Sequence, residues 1–354
     1  MKRSASIELD FEALMHNLSV VRQYSAQAKV IAVIKANAYG HGMLAVAHQL
    51  EDKVDALAVA CVDEAILLRK NKIAADIIVL QGFHNQRQLA QCFEFNLQPV
   101  CHQAWQIDYL NDFQCKTQIS CWLKLDTGMH RLGLEAEQMN SHVEQLTRLD
   151  SIKEVRMMSH FANADELDSA LNSLQLNRFH EAQSDLNLET SLANSAAIMS
   201  MPEAIMDWVR PGIMLYGVSP FITKPSSEFG LKPVMTLKSH IIAIKSLSAC
   251  ESLGYGSCWT SDRDSQIAVV AIGYGDGYPR HAKNGTPVLI GGQRCDLVGR
   301  VSMDMITVDI TDLDHTVRIG DEAVLWGASL DVNEVASNSS TIAYELLCNT
   351  GRDQ

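Results

Sequence analysis

No stretch of this 354-residue chain approaches the roughly 18 consecutive apolar residues that a membrane span needs, so no membrane partner is expected. Positive charge is scarce as well: 29 Lys and Arg stand against 42 Asp and Glu, a net charge of −13. The basic residues are scattered singly among acids. That argues against a nucleic-acid partner, which is gripped through clustered Lys and Arg, but leaves a local anion pocket open. The nine cysteines (61, 92, 101, 115, 121, 250, 258, 295 and 348) are odd in number and form no C-x-x-C pair. Neither a disulfide framework nor a metal site is suggested, and they read as buried thiols in a reducing cytoplasm. Nor does Met1-Lys2-Arg3-Ser4-Ala5-Ser6-Ile7-Glu8 look like a signal peptide, because acids appear before any apolar stretch develops. With 47% hydrophobic and 20% charged residues the chain is an ordinary acidic globular protein, with room for two domains or for a barrel plus a smaller module.

What is present, up to about residue 215, is a repeated unit: a short apolar run, a few Gly, Asn, Asp or His residues, then helical spacing of apolar positions. The strands are expected at 30–34, 56–60, 77–80, 97–101, 118–125, 154–159, 190–193 and 206–209. Helices are expected at 41–51, 63–69, 86–95, 103–111, 135–149, 166–186 and 195–200. Eight such units call for right-handed parallel crossovers and match a (β/α)8 TIM barrel. An open doubly wound sheet is the alternative, disfavoured because no G-x-G-x-x-G turn follows the first strand. Beyond residue 231 the texture changes to alternating runs at 234–244, 266–272, 286–290 and 306–310, with Asn284-Gly285 and Gly291-Gly292 as turn signals. This is the pattern of an antiparallel β domain. The expected division is therefore a barrel over residues 1–230 and a C-terminal β domain over 231–354.

In such a barrel, functional side chains collect where strands end. Lys35 follows the first expected strand, Lys124 ends the fifth with Arg131 just beyond it, His160 follows the sixth, Asn194 and Ser195 the seventh, and Arg210 the eighth. A lysine at the mouth of an apolar strand is placed for a lowered pKa and Schiff-base chemistry, or merely snorkels from the barrel end. The Asn37-Ala38-Tyr39-Gly40-His41-Gly42 that follows suits a binding loop. Asn194-Ser195 and Pro211-Gly212-Ile213 suit a phosphate, although a serine there can also do no more than cap its helix. A Schiff-base lysine and a phosphate site on one rim point to pyridoxal phosphate.

Over essentially its whole length the chain resembles the alanine racemases. The resemblance is carried in order by Lys35-Ala36-Asn37-Ala38-Tyr39-Gly40-His41-Gly42, residues 124–133, Ser159-His160-Phe161-Ala162, Ala193-Asn194-Ser195-Ala196-Ala197, Arg210-Pro211-Gly212-Ile213, Gly254-Tyr255-Gly256, Gly273-Tyr274-Gly275-Asp276-Gly277 and Gly299-Arg300-Val301-Ser302-Met303-Asp304. It implies a pyridoxal-phosphate isomerase that interconverts L- and D-alanine for peptidoglycan precursors, as a cytoplasmic homodimer whose active sites are shared between subunits. Lys35 would carry the cofactor and act as base toward the D-enantiomer. Tyr255 would be the base on the opposite face, and His160 and Arg210 would supply the positive field such a phenol needs. Arg210 would face the pyridine nitrogen and, holding its own proton firmly, keep that nitrogen unprotonated. An arginine in a structural ion pair is the plainer alternative.

The resemblance further implies that Arg131 binds the substrate carboxylate. In relatives with a lysine at the Lys124 position that side chain can be carbamylated; otherwise Lys124 is a like-charge neighbour of Arg131. Tyr39, Asn194, Ser195, Gly212, Ile213 and Tyr344 match cofactor-contacting positions, and Tyr274, Met303 and Asp304 the mouth of the site. In the family, Tyr255 and Met303 reach the cofactor of the partner subunit. Two departures stand out: His130 stands where some relatives have glycine, and the sequence ends at Gly351-Arg352-Asp353-Gln354, where a frayed end is expected. Three rival readings remain. A serine or broad-specificity racemase would differ in the pocket around Tyr255, Tyr274 and Met303. A decarboxylase of the same fold would have no need of Arg210 at the ring nitrogen, and a non-catalytic cofactor-binding barrel would lack residues 231–354.

Overall fold

A computed structural model of the chain, describing residues 4–351, begins with a strand β1 (Ser6–Leu9) and a helix Phe11–Ser25 that the apolar pattern does not announce. Residues 352–354, on which the expected frayed end partly falls, lie outside the described residues. Eight strands follow: β2 (Lys29–Val33), β3 (Ala56–Val59), β4 (Ile77–Val79), β5 (Gln98–Cys101), β6 (Ile119–Lys124), β7 (Ile152–Met158), β8 (Thr190–Asn194) and β9 (Trp208–Arg210). Each pairs parallel with the next, and β9 closes on β2 through Lys29–Trp208 and Val30–Val209. The closure excludes the open sheet. Strands such as β3 and β6 are buried along their whole length, which is why they read as unbroken apolar runs and not as alternating ones.

The N-terminal end of this barrel is a packed ionic and aromatic plug. Glu189 accepts from Lys29 at 2.5 Å, from Arg156 at 2.9 Å and from the Trp208 indole at 2.9 Å. The Arg156 guanidinium lies over the Trp122 and Trp208 rings, at 5.6 and 5.1 Å from their centroids. Every cation there has an acidic partner, as suits the end of a barrel that carries stability.

The chain divides into two compact units. One comprises residues 18–38 and 43–215; the other comprises the chain up to Asn17, Tyr39–Gly42 and everything from Tyr216 on. The second unit is built on β1 with β10 (Met235–Leu247), β13 (Ser265–Val270), β14 (Pro287–Ile290), β15 (Gln293–Leu297), β16 (Ile306–Asp309) and β17 (Glu322–Trp326), all pairings antiparallel. A small hairpin of β11 (Ser252–Leu253) and β12 (Trp259–Thr260) lies outside this sheet. The order is β1-β10-β13-β16-β15-β14-β17, and because β17 also pairs with β10 the six strands other than β1 form a closed ring. β14 and β15 turn through Gly291-Gly292, both at positive φ (60° and 81°), the geometry of the tight hairpin turn that the glycine pair signals. Helices Val332–Asn338 and Ala343–Thr350 complete the unit. Among the described residues no helix is long and apolar enough to cross a membrane.

Candidate active site

Parallel strands all end on one rim of a barrel, and here those ends are cationic. β6 ends in Lys124 and β9 in Arg210, Lys35 stands two residues past β2, and His160 two past β7. Arg210 is 5% exposed. Its Nη1 donates to Ser191 Oγ at 2.7 Å, and its Nη2 to the carbonyls of Ser159 (2.5 Å) and Leu192 (3.2 Å) and to His160 Nδ1 (3.3 Å). Burial draws its pKa down to about 10. Among the described residues no carboxylate lies within ion-pair distance of it, so the structural ion pair is not present. Lys124 is buried too; that burial, then the charges of Arg210, Arg131 and Lys35, lower its pKa to about 8, with only Asp126 opposing.

His160 is pushed well below the usual histidine range, by burial first and then by Arg210, Lys124, Arg131 and Lys35. Its imidazole is neutral, and the positive field of the rim is carried by guanidinium and ammonium groups. Burial alone would raise the carboxyl of Asp126, but the amides of Gly128 and His130 hold it below the usual range. The charges of Arg210, Lys124, Arg131 and Lys35 thus all act on His160, and a rim charged in this way suits an anionic ligand.

Lys35 is delivered by an unusual backbone. Ala36, Asn37, Ala38 and Tyr39 all have φ of 53–54°, with ψ of 54°, 43° and 50° at the first three. This is a left-handed helical turn made without glycine, at a cost of about 1–2 kcal/mol per residue. Three bonds hold it: Ala38 N–H to the Ile34 carbonyl at 2.9 Å, Met43 N–H to Asn37 Oδ1 at 2.7 Å, and Ala36 N–H to Glu64 Oε1 at 2.8 Å. The other oxygen of Glu64 accepts from Ala60 N–H at 2.7 Å. Strain concentrated at the end of a barrel strand is a mark of a candidate functional segment.

At the end of β8 Asn194 is the helix cap, its Oδ1 accepting from Ala197 N–H at 3.0 Å. Ser195 is therefore not needed as a cap; its Oγ accepts from Gly212 N–H at 2.9 Å, which brings those two residues together with Ile213 next in sequence. Arg131 is exposed on a loop closed by Asp126 N–H to the Leu134 carbonyl (3.0 Å) and Leu134 N–H to the Lys124 carbonyl (2.8 Å). His130 in that loop has φ 54°, a conformation that glycine takes without strain.

In the other unit the rings of Tyr39 and Tyr344 lie 5.9 Å apart, Tyr39 and Tyr216 4.9 Å, and His41 stacks on Tyr216 at 4.5 Å. Burial, then Tyr344 and Cys348, raise the Tyr39 phenol well above its usual range. Gly40 is required there: a Cβ would stand 2.1 Å from the Leu347 carbonyl oxygen. Tyr255 is 69% exposed, in a short turn beside Arg300. Tyr274 N–H and Gly275 N–H donate to the carbonyls of Ser302 (3.1 Å) and Met303 (2.8 Å), which brings Tyr274, Met303 and the exposed Asp304 together.

Comparison with known proteins bears on these features. The family model for the alanine racemase N-terminal domain matches residues 9–220, and that for the alanine racemase C-terminal domain matches 234–354. The alanine racemase of Vibrio cholerae serotype O1 is 46% identical over 347 residues, 98% of this chain and 95% of that protein. The crystal structure of the biosynthetic alanine racemase from Pseudomonas aeruginosa superposes with a TM-score of 0.95 at 41% identity, covering 99% of this chain and 97% of that one. The alanine racemase structure from Acinetobacter baumannii gives 0.93 at 37% identity, covering 98% and 97%.

The chain belongs to the alanine racemase family. Within this alanine racemase fold, several residues that hold the rim carry no motif-level signal: Glu64, Ser191 and Gln175. Glu64 and Gln175 lie inside helices, where a polar residue ordinarily reads as part of the solvated face. Only an inward position in the helical periodicity would have singled out Gln175.

Proposed function

We propose that this chain is a pyridoxal-phosphate-dependent racemase that interconverts L- and D-alanine and so supplies D-alanine for peptidoglycan precursors. The carrying observation is the rim itself: the charges of Arg210, Arg131 and Lys35 all bear on Lys124 and on His160, Asp126 opposes them at Lys124, and Arg210 has no carboxylate partner among the described residues. That donor set fits a ligand bearing a phosphate and a carboxylate. Pyridoxal phosphate supplies an electron sink for the pair left at Cα when its proton departs.

The residues around it have separable tasks. The Lys35 amine holds the cofactor and exchanges the proton at Cα of the D-enantiomer, while the Tyr255 hydroxyl exchanges it on the opposite face for the L-enantiomer; inversion needs one acid/base group on each side. Arg210 would face the cofactor's ring nitrogen with a proton it does not readily release, and neutral His160 takes a hydrogen bond from Arg210. Tyr39, Asn194, Ser195, Gly212, Ile213 and Tyr344 hold the cofactor. Arg131, aided by Lys124, binds the substrate carboxylate, and Tyr274, Met303 and Asp304 shape the mouth. The exposed Tyr255, Tyr274, Met303 and Met305 support a homodimer in which a second copy covers them and each site is completed by its partner. The barrel is taken as 1–230 and the β domain as 231–354, and the unbridged cysteines support a cytoplasmic location.

The deciding experiment incubates the protein and added pyridoxal phosphate with L-alanine, and separately with L-serine, in heavy water. D-alanine forming with Cα deuterium, and little product from serine, is expected. Comparable serine turnover would move the chain to the broad racemases, exchange without the D-enantiomer would remove the second base, and no exchange would leave a cofactor carrier.

A further inference from the structure

The barrel helix Ala170–Gln183 carries a glutamine with no exposed surface, Gln175. Both ends of its amide are engaged. Oε1 accepts from Ala162 N–H at 2.9 Å, and Nε2 donates to the His160 carbonyl at 3.0 Å and to Thr127 Oγ1 at 3.1 Å. One helical turn on, Arg178 donates from Nη1 to the Thr127 carbonyl at 3.2 Å. Thr127 Oγ1 lies 2.9 Å from Ser159 Oγ, and the Ser159 carbonyl accepts from Arg210. A leucine or methionine would have filled this volume without the cost of burying an amide, so the site is polar for the bonds it makes.

The segments joined in this way are those following β6 and β7, which carry Arg131 and His160. The Arg131 loop is shaped from within: Asp126 Oδ1 accepts from Gly128 N–H at 2.9 Å and His130 N–H at 3.1 Å. Its placement against the His160 segment is what Gln175 and Arg178 set from outside.

We propose that Gln175 is a positioning residue that fixes the spacing between Arg131 and the His160–Arg210 pair, with Arg178 as its outer support. This rests on the reading of Arg131 as the carboxylate-binding group. Spacing between those groups sets how substrate carboxylate and cofactor ring are presented to each other, and small displacements there weaken binding of the carboxylate before they touch the proton-transfer groups.

Propionate, which has the carbon skeleton and carboxylate of alanine but no amine, reads that site without the chemistry. In holoenzyme, Gln175→Glu keeps the acceptor for Ala162 and turns an acceptor toward the His160 carbonyl. KM for alanine and Ki for propionate should rise together by about tenfold, with kcat changed less than about threefold and bound cofactor per subunit unchanged. Arg178→Met, a change at an exposed side chain, should move both constants the same way by about threefold. Unaltered KM and Ki in both variants, with only fewer active subunits or a lower melting temperature, would overturn the proposal. Arg131→Lys separates the two readings. If it leaves the propionate Ki unmoved, the carboxylate assignment falls and this inference with it; if it raises Ki while Gln175→Glu does not, the inference alone falls.

Discussion

Replacing Lys124 by methionine, in protein freed of cofactor and of carbon dioxide, should stabilise the fold at neutral pH. The ammonium is buried among like charges, and its pKa falls from 10.5 to about 8. At about 1.4 kcal/mol per tenfold change, this is a cost of about 3 kcal/mol. Between those two values the unfolded chain binds the proton and the folded one does not, so stability rises with pH across that window. Below pH 8 the whole cost is present; above 10.5 none of it is. Methionine keeps most of the volume and carries no charge. Urea unfolding followed by tryptophan fluorescence, which senses Trp122 and Trp208 in the barrel, should therefore show Lys124→Met ahead of the parent by about 3 kcal/mol at pH 6.5, with the gap closing toward pH 10. Added bicarbonate should stabilise the parent, since a carbamate on Lys124 replaces a cation by an anion beside Arg131 and Arg210, and should do nothing for the variant. A variant no more stable than the parent at pH 6.5, or a gap that does not vary with pH, would refute the reasoning.

Three further expectations concern other parts of the molecule. Burial would raise the Glu189 carboxyl, but Lys29, the Trp208 indole and Arg156 bring it to about 2; discounted for its partial exposure, its contribution is about 1 kcal/mol, present above the ordinary glutamate range and lost as pH falls toward 2. Glu189→Gln should then lower stability at pH 7 and flatten the acid-unfolding curve between pH 4.5 and 2. Ala36→Gly, at an exposed left-handed position, should raise the unfolding free energy by about 0.5–1 kcal/mol, the relief of strain less the entropy of glycine, as read from denaturant midpoints. Tyr255→Phe should retain bound cofactor and Cα exchange from D-alanine while losing most exchange from L-alanine; near-normal racemisation would sink the two-base assignment.

The barrel was legible because parallel strands buried on both faces leave unbroken apolar runs, and because three of those runs end in a residue that has no place in a core: Lys124, Asn194 and Arg210 close β6, β8 and β9. β1 was not legible. Ser6-Ile7-Glu8-Leu9 is too short to stand out, and what makes it a strand is pairing with Lys238, Leu237, Thr236 and Met235, far away in sequence. The turn after Lys35 misleads by composition, since alanines favour right-handed helix and no glycine marks the positive φ; bonds from Glu64 and Asn37 override that preference. Of the candidate site, most residues proposed to touch a ligand stand in short motifs with glycine, which is what singles them out in the sequence. Those that hold them, Gln175 and Glu64, work through backbone atoms of other segments and acquire meaning only in three dimensions.

Tyr39–Gly42 belong to the same compact unit as Tyr216 and the chain that follows it. The four residues are an excursion: the chain leaves one unit at Ala38 and returns to it at Met43. Expressing the two halves as separate polypeptides cut near residue 230 would strip the β half of both this excursion and β1, removing the Gly40 contact at Leu347 and the partner of β10. Swapping C-terminal modules between relatives therefore calls for moving three pieces together, the N-terminal strand, the glycine-containing excursion and the long C-terminal segment. A chimera made with a single crossover would graft a mismatched seam.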